Sequence, residues 1–190
     1  VTAKLKGADF SGDLCGFVDS PGDELYVTAV GNEGAYLFTF NKKTKAFAST
    51  EPVWIPHPDC KDGKCPAKLD VENYPWLCRG ALFTKGAKRF VALVDYKGAG
   101  ALPMPTGITA AVVDVSGGKL VATYNYKTSP FTTPKRLLRG VAAIDDTLFF
   151  YEPSWSRQLG DEKISKKSVV YAVPTNDAGG LDFDKRKPFQ

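Results

Sequence analysis

One histidine, His57, and one methionine, Met104, occur among 190 residues. With no second histidine and no C-x-x-C spacing, no standard zinc pattern is present. G-x-S-x-G is absent, so nothing marks a nucleophile elbow, and no Ser or Asp partner for His57 is identifiable. There is no P-loop and no dinucleotide fingerprint; Gly98-Ala99-Gly100 has the wrong flanks. No apolar run approaches the roughly 18 residues that a membrane span needs. Helical periodicity is scarce. The net charge of +4 comes from 25 basic and 21 acidic residues that are mostly interspersed. They form no single basic stripe, which disfavours nucleic acid as a partner. The densest basic run, Asp184-Lys185-Arg186-Lys187, reads as a solvated tail or a processing site.

What is present is ample apolar material for a core, 43% of the chain, arranged with period two. Glu24–Val30, Ala35–Phe40, Arg89–Asp95, Thr109–Val115, Thr147–Glu152 and Ser168–Val173 are short and rich in β-branched and aromatic residues. Gly, Pro, Asn and Asp bound them, which predicts strands and an all-β fold. The order of these runs repeats. Openings at Leu14-Cys15-Gly16, Leu77-Cys78-Arg79-Gly80 and Leu138-Arg139-Gly140 are each followed by a charged turn, a strong second strand, and a third strand ending in a polar turn. A weaker fourth strand is expected at Ala46–Ser49, Leu120–Tyr124 and Leu181–Phe183. The chain therefore reads as a single β-repeat domain over residues 1–190. Its four-stranded antiparallel units lie near 14–50, 77–126 and 137–184, with a Pro- and Cys-rich insertion at 51–76.

Four antiparallel strands per unit, with turns at fixed places, is the pattern of a propeller blade. The phrases ELYVTAVGNEGAYLFTFNKKTKAF (24–47) and GITAAVVDVSGGKLVATY (107–124) resemble blades of the lactonase-like and quinoprotein-like β-propellers. The resemblance implies a β-propeller-like arrangement and no particular activity. Closed propellers have roughly four to eight blades, so three units leave a ring incomplete. The chain could be one piece of a longer propeller, could assemble with another copy, or could form a sandwich or irregular barrel. Val1–Leu5 could supply an outer strand of a further blade.

The four cysteines, Cys15, Cys60, Cys65 and Cys78, favour disulfides. The turn Lys61-Asp62-Gly63-Lys64 is suited to a Cys60–Cys65 staple, which leaves Cys15–Cys78; two other pairings stay open. Paired thiols imply an extracellular or periplasmic compartment. The chain starts at Val1; a removed leader or a cut from a longer chain would each account for the missing initiator methionine.

The insertion holds Pro52, Pro56, Pro58, Pro66 and Pro75, which pre-set extended backbone, so it reads as a rigid loop without regular structure. His57, Asp59 and Asp62 are candidate ligands for a metal ion, with calcium, copper or zinc in view; no cofactor is otherwise implied. The competing reading is a stapled loop with a partly exposed histidine. Trp54 and Trp155 are candidate surface platforms for a sugar or peptide, and Trp76 and Tyr74 are more readily core fillers. Arg79 and Arg139 recur at equivalent positions and could bind an anion. The structural alternative is a repeated ion pair, with Asp13 or Asp145 as partner.

Three functions compete. The first is a secreted, non-enzymatic binding or assembly module whose partner is another chain or a second copy. The second is a metal-dependent propeller hydrolase or lactonase. That resemblance implies an axial cation held by acid and amide side chains, yet the corresponding positions carry Cys15, Cys78 and Leu138. The third is extracellular metal capture at the His57 loop.

Overall fold

The computed structural model describes residues 3–5, 8–10, 13–31, 33–48, 51–69, 77–96, 107–126, 130, 140–152 and 169–189. A small hairpin of β1 (Ala3–Leu5) and β2 (Ala8–Phe10) comes first. The first large sheet contains β3 (Asp13–Asp19), β4 (Glu24–Gly31), β5 (Gly34–Asn41) and β6 (Ala46–Phe47), in that order. Its β7 (Val53–Pro56) also pairs with β5, placing Trp54 opposite Tyr36. The second sheet is β8 (Arg79–Lys85), β9 (Lys88–Tyr96), β10 (Ile108–Asp114) and β11 (Lys119–Tyr126). The third is β12 (Gly140–Ile144), β13 (Thr147–Glu152), β14 (Val169–Pro174) and β15 (Lys187–Phe189). All pairings are antiparallel, and each sheet is ordered from its first strand outward. These are three units resembling propeller blades; among the described residues they close no ring.

Two elements differ from the expectation. The insertion contains a strand, β7, because Val53-Trp54-Ile55 is a β-forming run; Pro52 and Pro56 flank it, and proline is tolerated at strand ends. In the third unit the outer strand is Lys187–Phe189 rather than Leu181–Phe183. Leu181 makes only an isolated bridge to Thr175, and Phe183–Lys185 form a 3-10 turn. Asp182 caps that turn by accepting from the Lys185 N–H. Phe183 is thereby turned inward against Tyr124, Tyr126 and Phe150, as an apolar ring in a strand exposed to water would not be.

The middle sheet shows why the three stack. Along β9, Phe90, Ala92 and Val94 join a core shared with Leu148, Phe150, Tyr171 and Val173 of the third sheet. The intervening Val91 and Leu93 join a core with Val18, Tyr26, Leu37 and Ile55 of the first. Strand β10 divides in the same way and is buried along its whole length. Alternation along a strand thus sends successive side chains into two different cores. The second sheet is sandwiched, so its strands are apolar on both faces.

The first strands of the units converge. Strand β8 packs against both β3 and β12. A Cβ at Gly16 would overlap the Cys78 carbonyl, and one at Gly80 would stand 2.5 Å from Val18 Cγ2. Glycine is required there because no side chain fits between the strands. Gly16 beside Cys78 and Val18 beside Gly80 also show that β3 and β8 run the same way. The outer strands are spaced instead by rings, such as Tyr124, Tyr126 and Phe183. The first joint is thus narrow at its inner strands, and the second is filled by rings at its outer strands.

Polar clasps close the joints. Between the first and second sheets, Glu24 accepts from the Tyr26 hydroxyl at 2.7 Å and pairs with Arg89 at 2.7 Å. Between the second and third, Lys85 Nζ donates to the Thr175 carbonyl at 3.0 Å, and Thr175 Oγ1 donates to the Asp146 carbonyl at 2.8 Å. The Tyr124 hydroxyl accepts from the Leu181 N–H at 2.6 Å.

Candidate functional site

Three places could carry function: the convergence of the first strands, the stapled insertion, and the outward faces of the first and third sheets. At the first, Cys15 and Cys78 form a disulfide with a Cα–Cα distance of 4.9 Å, tying the start of β3 to the residue before β8. Asp95 lies behind it, almost wholly buried. Its Oδ2 accepts from the Cys78 N–H at 3.3 Å, and its Oδ1 pairs with Arg79. Arg79 is therefore engaged by Asp95, a partner that sequence reasoning missed because it lies across β9 rather than in a neighbouring turn. Arg139 and Trp155 lie outside the described residues, as do Leu138, Tyr74 and Trp76.

Further along these strands an open cleft of about 500 Å³ is lined by Phe17, Val18, Leu82, Phe83, Ala143 and Asp145, among others. Its lining is mixed, with Asp19, Thr84 and Asp145 beside the apolar side chains. Asp19, on its rim, is held below the ordinary carboxylate range chiefly by the hydrogen bond from Lys42 at 2.8 Å. That bond leaves Asp19 part of a surface pair rather than a poised acid.

In the insertion, His57 is fully buried. Its Nδ1 accepts from the Asp59 N–H at 3.1 Å, and its backbone N–H donates to the Glu33 carbonyl at 3.0 Å. These bonds make His57 a brace for the turn leading to Cys60. Cys60 and Cys65 are bonded to each other. Between them Lys61 and Lys64 exchange both backbone hydrogen bonds at 2.9 Å, while Asp62 and Gly63 take φ of 50° and 74°. Asp-Gly supplies the left-handed pair that such a tight hairpin demands. Asp59 lies beside His57, with Oδ2 3.6 Å from Nδ1, whereas Asp62 sits at the exposed tip of the hairpin. Among the described residues no three His, Cys, Asp or Glu side chains gather as a metal-ligand set. Trp54 is half-buried on β7, and its indole nitrogen is buried with no hydrogen-bond partner among the described residues. A strand position, not a free loop, therefore fixes this ring.

The third place is the pair of end faces. Register puts Leu14 and Phe17 of β3 on the side of the first sheet that faces away from the second. It puts Ile144 of β12 and Phe189 of β15 on the side of the third sheet that faces away from the second. Phe17 is 72% exposed and Ile144 63% exposed; Leu14 and Phe189 are exposed as well. On the same side of the first sheet as Phe17, Ala29 and Phe38 are buried, so the exposed apolar side chains sit at the edge of that face.

No protein-family model matches the chain. No curated protein matches it either.

Proposed function

We propose that the protein is a non-enzymatic assembly module that binds another protein chain through the outward faces of its first and third sheets. The observation that carries this reading is the exposure of Phe17 and Ile144 on opposite ends of a stack whose inner joints bury or half-bury their apolar side chains. Exposed apolar side chains of this kind lower their free energy when another apolar face excludes water from them. An oxidising compartment outside the cytoplasm fits the two disulfides, and no helix among the described residues is long and apolar enough to cross a membrane. The alternatives, a propeller hydrolase with an axial cation and metal capture at His57, draw no support from a ligand cluster among the described residues.

The test uses tagged wild type, Phe17→Asp and Ile144→Asp chains produced in the native source and sized in unfractionated extract. The wild type is expected to elute well above its 20.6 kDa mass, and each variant to shift toward it while keeping its melting temperature. Elution of all three at the single-chain position would overturn the reading.

A further inference from the structure

The two disulfides are set in different surroundings. Cys15 and Cys78 are 63 residues apart and tie the first strands of two sheets, where a Cβ on Gly16 would overlap the Cys78 carbonyl. Cys60 and Cys65 are 5 apart and close one hairpin, whose Lys61, Asp62, Gly63 and Lys64 are all exposed. That hairpin does not depend on its sulfur bridge alone. Lys61 and Lys64 exchange both backbone hydrogen bonds at 2.9 Å, and Asp62 and Gly63 supply the left-handed turn. The Cys60 N–H donates to the His57 carbonyl at 2.9 Å, which fixes the approach to the hairpin. Breaking the S–S bond therefore leaves the two sulfurs side by side, on residues whose Cα atoms are 4.2 Å apart in the bonded form.

The Glu33 carbonyl adds a second feature. It lies 3.7 Å from Cys60 Sγ and 3.9 Å from Cys65 Sγ. It also accepts the His57 N–H at 3.0 Å, which uses one of the two lone pairs of a backbone carbonyl. A disulfide has no proton to offer the other lone pair, whereas a thiol is a weak S–H donor. The site thus holds an acceptor that only the reduced pair can satisfy. Stabilising the reduced form makes a disulfide easier to reduce, and exposed disulfides are the exchangeable class.

We infer that Cys60–Cys65 is a reversible dithiol–disulfide couple, a surface site that exchanges with an external dithiol while Cys15–Cys78 stays bonded. The inference stands apart from the assembly reading above. In the exchange, a thiolate of the dithiol attacks one of the two sulfurs. The S–S bond breaks, and the other sulfur leaves as a thiolate and takes up a proton. The second thiol of the dithiol loses its proton and displaces the remaining cysteine from the mixed disulfide, and that cysteine is protonated in turn. Cys60 and Cys65 end as two thiols and the dithiol ends as a disulfide, two electrons and two protons having passed. The backbone pair between Lys61 and Lys64 keeps the thiols adjacent for the return step.

The test equilibrates the folded full chain with mixtures of reduced and oxidised dithiothreitol. Free thiols are then blocked with N-ethylmaleimide and located by peptide mass. Cys60 and Cys65 are expected to open at a reduced-to-oxidised ratio about tenfold or more below that which opens Cys15–Cys78. The circular dichroism of the β structure should be unchanged at that point, and oxidised dithiothreitol should restore the bond. Opening of both disulfides at the same ratio, opening of Cys15–Cys78 first, or loss of the β spectrum together with the Cys60–Cys65 bond overturns the inference. Infrared spectroscopy of the selectively reduced chain tests the part played by Glu33. One S–H stretch is expected below the frequency of a free thiol, as hydrogen bonding requires. Two stretches at the free-thiol position would overturn the argument that the carbonyl favours the reduced pair.

Discussion

The Cα of Gly16 faces the carbonyl of Cys78 so closely that a methyl group on it would occupy the same space as that oxygen. The Cys15–Cys78 bond beside it pulls the same two strands together. Gly16→Ala must therefore separate β3 from β8 and is expected to cost about 1–3 kcal/mol, the usual range for overpacking. Gly140→Ala is the control. Nothing lies within 4 Å of a Cβ there and its φ is ordinary, so stability should change by less than ~0.5 kcal/mol. Urea unfolding of the two variants makes the comparison. Equal effects would mean that β3 and β8 are not held at this distance.

The disulfides should contribute unequally. Cys15 and Cys78 are 63 residues apart and Cys60 and Cys65 only 5. Chain-entropy scaling gives about 4 kcal/mol for the long loop and about 2 kcal/mol for the short one. The double variants Cys15→Ser/Cys78→Ser and Cys60→Ser/Cys65→Ser, compared by denaturant midpoint, should follow that order. A larger loss from the short staple would show that the insertion, not the inner-strand tie, controls folding.

Arg79 pairs with a carboxylate whose side chain is 5% exposed. Removing the guanidinium leaves a buried negative charge poorly compensated, a loss of about 3–5 kcal/mol in comparable sites. Arg79→Met is expected to approach that loss, and adding Asp95→Asn should recover part of it. If the double variant is as unstable as the single one, the charge of Asp95 is not the reason for the loss.

Alkaline pH should open the joints between sheets. Burial raises the pKa of Tyr26, with its bond to Glu24 adding to the rise, and burial also raises those of Tyr124 and Tyr126. Each phenol is kept neutral in the folded chain to higher pH than in the unfolded chain. Their contribution to stability is thus complete below the unfolded value near 10, and is lost as pH rises above it through the raised folded values. Circular dichroism with absorbance at 295 nm, followed upward from pH 9, should show part of the tyrosine ionisation coinciding with loss of β structure. If all eight tyrosines ionised near pH 10 with the fold intact, these rings would not be joint residues.

The all-β class and the repeating unit were legible because alternation is a local signal. Runs such as 24–30, 89–95 and 147–152 each lie within a strand of the structure. Strand β7 was hidden by its flanking prolines, and the outer strand of the third unit was displaced by Phe183, whose burial depends on Tyr124 and Tyr126 far away in sequence. The site was less legible for the same reason. Nothing local to Arg79 points to Asp95. Nothing local to His57 marks it as buried, since its bonds to Glu33 and Asp59 depend on where β5 places the insertion. The contrast between buried Val18 and exposed Phe17, adjacent on one strand, becomes meaningful only when the neighbouring sheet is in place.

The central claim, that the end faces are covered by another chain, is tested most directly by hydroxyl-radical footprinting of Phe17 and Ile144. Labelling is compared between the chain in its native extract and the same chain purified and diluted to nanomolar concentration. Slower labelling of both residues in the extract, by several-fold, is the predicted result. Equal labelling of Phe17 and Ile144 in the two samples would contradict it.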